Sequence, residues 1–212
     1  MTPIARTVGL CSIFIAAVVG MFVYSVTRTP ELSDAELREK GVFLLPTPRE
    51  LTAFSLPAHD GGDFDLAALQ GKWSFLFFGF THCPDICPTS MSELGQVERE
   101  LQQAYPELAE RFQGVLITVD PERDTLDLVG RYAQAFSPRF VGVSSDRDST
   151  AAFASQVNAV FAKMPDGDGG YTMDHTGNLV IINPYGHYHG FIKLPHTAET
   201  IRLAYLSLAA RI

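Results

Sequence analysis

The stretch "WSFLFFGFTHCPDICP", Trp73 to Pro88, runs from unbroken apolar and aromatic residues straight into two cysteines four positions apart. Its first half lacks the alternation of a half-exposed strand and reads as a strand buried on both faces. A helix is expected after it, because Met91, Leu94, Val97 and Leu101 recur at helical spacing and Pro88 suits a first helical turn. A buried strand feeding a helix is the opening unit of an α/β fold, and the flanking sequence repeats it.

Downstream, "GVLITVD" (114–120) reads as a second buried strand, followed by a helix through Val129, Tyr132, Ala133 and Phe136. "RFVGVSS" (139–145) is a third strand, and Phe153, Val157, Val160 and Phe161 mark the next helix. Beyond a Gly-rich loop, "NLVIINPYGHYHGFIK" (178–193) gives two strands turning at Asn183-Pro184-Tyr185-Gly186. A final helix carries Ile201, Tyr205, Leu208 and Ile212 on one stripe. Upstream, "FSLPAHDGGDFDL" (54–66) has a hairpin signal at Asp60-Gly61-Gly62. The order predicts an α/β sandwich with an N-terminal hairpin, its first two core strands parallel and joined by a right-handed crossover.

Residues 28–50, with Pro30, Pro46 and Pro48 among mixed charges, are expected to form a tether without a core of its own. Before them, "VGLCSIFIAAVVGMFVYSV" (Val8–Val26) carries no charge and is long enough as a helix to cross a hydrocarbon layer of roughly 30 Å. "TRTPELSD" offers no small-x-small cleavage site, which favours a retained single-pass anchor over a cleaved signal peptide. The division is then 1–27 anchor, 28–50 tether and 51–212 one domain. Arg6 and the N-terminal amine precede the span and Arg28 follows it, a weak lean toward an internal N-terminus and a domain outside the cytoplasm. Cys11 inside the span reads as a small apolar filler. The net charge of −8 brings no basic patch of the kind that tracks phosphates, so nucleic acid is excluded as an expected partner.

Cys83 and Cys87 fall just past the end of the first core strand, where open α/β sheets collect functional groups. Wound as a helix, residues i and i+4 share one face, so both sulfurs would meet at one spot near a helix N-terminus. Three uses fit: a structural disulfide, redox chemistry, or a soft metal. Thioredoxin-type sites have two intervening residues and this pair has three. Two thiolates suit Cu(I) or zinc; zinc asks for four ligands, whereas two sulfurs and one imidazole suit three-coordinate copper.

Of six histidines, His59, His187, His189 and His196 are expected to face solvent, and His82 is a poor ligand because adjacent side chains diverge. His175, in "YTMDHTGNLVII", precedes a strand which, if antiparallel to the first, starts at the edge bearing the cysteines. Spacing alone leaves its role open. "VDPERDT" (119–125) opens on the same edge; Asp124 is a natural N-cap for the helix that follows, and Asp120 or Asp124 could orient the site or meet a partner. Asp166-Gly167-Asp168 lacks the ligand spacing of an EF-hand and reads as a turn.

At "GFTHCPDICP", "VDPERDT" and "YTMDHTG", in that order, the sequence resembles the Sco/SenC family of copper-binding, membrane-anchored proteins, over about residues 50–212. The resemblance implies a thioredoxin-like three-layer sandwich behind one transmembrane helix, and a site for copper, as Cu(I) or Cu(II), formed by Cys83, Cys87 and His175. It implies a metallochaperone, not an enzyme, that helps assemble the CuA centre of cytochrome c oxidase. Its partners would be the oxidase subunit carrying CuA and an upstream copper donor or thiol reductase, met in the periplasm from the bacterial inner membrane. The alternatives are a thiol-disulfide reductase using a redox-active Cys83–Cys87 disulfide to keep the oxidase's ligands reduced, and a redox or copper sensor.

Overall fold

The computed structural model describes residues 3–27, 31–167 and 169–211, with side chains in the first segment given for Thr7 and residues 9–22. In chain order its elements are α1 (Pro3–Thr27), α2 (Asp34–Glu39), β1 (Val42–Arg49), β2 (Ser55–Pro57), β3 (Asp63–Asp65), α3 (Leu66–Leu69), β4 (Trp73–Gly79), α4 (Ile86–Ala104), α5 (Pro106–Arg111), β5 (Phe112–Thr118), α6 (Leu126–Phe136), β6 (Val141–Val143), α7 (Arg147–Gln156), β7 (Phe161–Pro165), β8 (Tyr171–His175), β9 (Leu179–Ile182), β10 (Tyr188–Ile192) and α8 (Ala198–Ala209).

Strand β4 is buried at all seven positions, as its apolar run predicts, and lies inside a six-stranded sheet ordered β1-β10-β9-β4-β5-β6. It runs parallel to β5, which is parallel to β6, and antiparallel to β9. Alternation along β4 feeds two apolar layers. Phe75 meets Tyr205 of α8, which packs beside α4 on one face, while Phe78 meets Phe153 of α7 on the other. The β2–β3 hairpin forms where Asp60-Gly61-Gly62 predicted a turn and sends Phe64 into the same cluster as Phe153. The β9–β10 turn forms at Asn183–Gly186, where Gly186 takes φ 77°, a conformation that asks for glycine.

Two expectations need correction. The segment read as a tether supplies α2, capped by a Ser33–Glu36 box with Leu37 fully buried, and β1, which pairs antiparallel with β10. Pro46 and Pro48 are compatible with a strand because β1 lies at the sheet's edge, where a missing N–H breaks no ladder. The helix marked by Phe153 stops at Gln156: Asn158 takes a left-handed φ of 58°, Val160 is 72% exposed and Phe161 opens β7. What reads as a Gly-rich loop is the turn of a second hairpin, β7–β8. Four of the five β7 residues are exposed, so no alternating apolar pattern announced this strand. Within that turn Asp166 lies at the junction as expected, whereas Asp168, like Ile212 of the last stripe, lies outside the described residues.

Residues 9–22 of α1 are exposed all round, Leu10, Ile13, Phe14 and Phe22 among them. Among the described residues no helix is long and apolar enough to cross a membrane. The apolar run expected to be the anchor, Val8–Val26, extends at both ends past residues 9–22, the stretch of it whose side chains are described.

Candidate metal centre

Strand β4 ends at Gly79, where an added Cβ would stand 3.0 Å from Cys87 Sγ; the lack of a side chain lets that sulfur pack against the strand end. The chain then turns through residues 80–85, the Cys83 N–H bonding the Phe80 carbonyl, and enters α4 at Ile86. Only Cys87 is helical. Cys83 sits ahead of the helix, half buried, and its sulfur accepts the Cys87 N–H at 3.4 Å, serving one of the donors that a helix start leaves unpaired. Both cysteines are free thiols, and Cys87 is fully buried. Burial, above the sulfur-acceptor contact with Cys83, pushes the Cys87 thiol far up from its ordinary value.

His175 closes β8 and reaches the pair from across the sheet edge, its Nε2 3.7 Å from Cys87 Sγ. The ring stands edge-on to Phe77 and Phe80, with centroids 5.8 and 5.7 Å away. Nδ1 lies 3.3 Å from the Thr176 carbonyl, which can only accept, so the ring proton is on Nδ1 and the Nε2 lone pair faces the sulfurs. Burial holds the imidazole below its usual range, which favours this neutral form. The atoms that Cys83, Cys87 and His175 could offer a metal all lie within 4.8 Å of one another, and they are the one such group of three or more among the described residues. β9 runs antiparallel to β4, the topology that brings residue 175 to the cysteine edge.

Asp124 is not the N-cap of α6; Thr125 is, accepting from the Leu128 N–H. Asp124 is fully buried and accepts from the Thr81 N–H and hydroxyl and from the Thr118 hydroxyl, which fastens the cysteine loop to the end of β5. Asp120, also buried, accepts from Arg123 Nε and from the Tyr171 hydroxyl at 2.9 Å. Sequence reading passed over Arg123 and Tyr171, although both lie in the stretches "VDPERDT" and "YTMDHTG". The available signal was period two on β8, which sets Tyr171, Met173 and His175 on one face.

The other histidines lie apart from the cluster. His82 is half exposed beside Thr81. His59 accepts from the Gly142 N–H, and His189 meets Trp73 edge-on, neither as the solvent-facing residue expected. Those two are half buried, whereas His196 is buried, between Ser90 Oγ at 2.8 Å and the Ile192 carbonyl, and burial depresses its pKa to about 4. An unfolded histidine near 6.5 takes up its proton first, so this group's stabilisation is complete above that value and is lost as pH falls toward 4. About 2.5 kcal/mol is expected to disappear between pH 7 and 4.5. Denaturant midpoints of the parent and His196→Gln at both pH values should show the smaller drop in the variant.

The SCO1/SenC family model matches residues 45–208. A protein of Stutzerimonas stutzeri named for copper binding is 35% identical over 162 residues, 76% of this chain and 78% of its own. The mitochondrial SCO2 homolog of Mus musculus is 38% identical over 149 residues, 70% of this chain but 58% of its own, so the chain spans little more than half that relative. The structure of Bradyrhizobium japonicum ScoI with copper bound aligns with a TM-score of 0.64 and 34% identity, covering 74% of this chain and 97% of that one. With a match running from β1 into α8 and taking in both cysteines and His175, the chain belongs to the SCO1/SenC family.

Proposed function

We propose that this protein binds one copper ion through Cys83, Cys87 and His175 and passes it to the CuA site of a cytochrome c oxidase subunit during assembly. The observation that carries the reading is the convergence of two sulfurs and one imidazole nitrogen at a single spot. Two thiolates with a neutral imidazole suit three-coordinate Cu(I), and zinc would ask for a fourth ligand where the described residues bring together three. Relatives solved with copper bound support the same cargo.

The three ligands differ in how readily they let go. Cys87 is enclosed behind the strand end, Cys83 is reachable from solvent, and His175 rides on a hairpin outside the main sheet. An incoming thiolate replaces the imidazole first, then Cys83, and Cys87 releases last. Handing copper over by ligand exchange in this order keeps it coordinated throughout. The exposed apolar side chains of α1 support burial of that helix in apolar surroundings, since a helix apolar on every side requires them; the family resemblance supports the bacterial inner membrane as those surroundings, with the domain in the periplasm.

One observation favours thiol-disulfide chemistry as a second reading: the accessible Cys83 has the buried Cys87 directly behind it. Cys83 thiolate would attack a partner disulfide, expelling one partner thiol, and Cys87 would then displace the second, leaving a Cys83–Cys87 disulfide for a thiol reductant to reset.

The test is copper bound per reduced chain under anaerobic conditions, followed by transfer to the metal-free CuA subunit. About one copper per chain that reaches the subunit supports delivery. Absence of tight copper, with reduction of the subunit's disulfide at a useful rate, moves the function to the second reading.

A further inference from the structure

The hairpin carrying His175 stands outside the six-stranded sheet, and a lone pair of strands has little stability of its own. Its inward face is a row on β8, with Tyr171 and His175 half buried, Met173 buried and Thr172 and Asp174 exposed between them, joined on β7 by the half-buried Phe161 opposite His175. The position of the imidazole over the cysteines therefore depends on what holds this row.

Tyr171 is held at several points. Its hydroxyl donates to Asp120 Oδ1 at 2.9 Å, the Arg123 guanidinium lies 4.0 Å from its ring centroid, and Arg123 Nη1 donates to its carbonyl at 3.2 Å. Arg123 also pairs with Asp120 through Nε and stands 5.9 Å from the Phe80 ring, the ring that meets His175 edge-on. Asp120 is tied back to β5, its N–H donating to Thr118 Oγ1 at 3.0 Å. Four residues on, Asp124 grips Thr81, two residues before Cys83. One loop thus holds both halves of the centre.

We propose that residues 120–124 form a bracket that sets the histidine hairpin against the cysteine loop, with Arg123 and Tyr171 as positioning residues for His175. The role rests on the copper reading above only for its consequence. Metal-free protein reports the bracket directly, because His175 ring protons lie edge-on to Phe77 and Phe80 and feel their ring currents.

The experiment takes the full chain, with Arg123→Gln and Tyr171→Phe, and records the His175 ring signals without metal and the Cu(I) dissociation rate with it. Both variants are expected to move the ring signals toward those of free histidine. Arg123→Gln should raise the dissociation rate about tenfold, the lower end of what outer residues of a metal site contribute. Neither substitution should raise it further in a His175→Ala background. Ring signals unchanged in both variants would overturn the bracket, as would an equal rise in the His175→Ala background. Should Arg123→Gln fail to fold, with the buried Asp120 left without its charged partner, Tyr171→Phe decides alone, since it keeps the ring and the Arg123–Asp120 pair. A parent that takes up no copper sinks the copper reading, while the ring signals still decide the bracket.

Discussion

Cu(I) affinity is expected to fall at least about a thousandfold in Cys83→Ala or Cys87→Ala, roughly 4 kcal/mol, and less in His175→Ala. The order follows from the donors: each thiolate supplies charge as well as a lone pair, whereas the imidazole is neutral and sits on the hairpin outside the main sheet. Competition against a Cu(I) chelator of known affinity measures all three. Metal uptake also has to displace the proton that burial keeps on Cys87. That proton alone should weaken affinity in the parent about tenfold for each unit by which pH falls, and the slope should be smaller by that amount in Cys87→Ala. On the proposed delivery function, His175→Ala is further expected to slow the handover, because the ligand proposed to exchange first has gone; a variant that metallates the CuA subunit at the parent's rate would remove the histidine from the transfer step.

Asp124→Ala is expected to lower stability by about 3 kcal/mol, since buried donors left unpaired cost about 1–3 kcal/mol each and three hydrogen bonds end on this carboxylate. Urea unfolding of the metal-free protein reads the loss. Asp124→Asn should recover most of it, because an amide oxygen can still accept from the Thr81 N–H. The damage should also reach the centre, as Thr81 is the point at which the cysteine loop is fastened to β5. A stability loss in Asp124→Ala of under 0.5 kcal/mol would show that the loop is held by other means.

Burial of β4 could be read directly from Trp73–Phe80, because a strand covered on both faces needs apolar residues at successive positions. The core side of α4 was legible in the same way from Met91, Leu94, Val97 and Leu101, all fully buried. Strand β1 and the β7–β8 hairpin were not legible. Edge prolines look like a linker, and β7, exposed at four of its five positions, leaves no period to pair with the short one on β8. His196 offers the converse case: it was expected in solvent, and only the packing of α4 beside the loop before α8 encloses it against Ser90.

The sequence by itself determined the chemistry on offer: two thiols four positions apart at a strand-to-helix junction, a histidine before a later strand and an acidic loop between them. Spacing left open which of six histidines meets the sulfurs; the resemblance named His175, and only the tertiary structure brings it there. Cys87 and His175 are 88 positions apart, and no local periodicity carries information over that distance. The antiparallel pairing of β9 with β4 brings the two ends together, and the buried carboxylates of Asp120 and Asp124 hold them there.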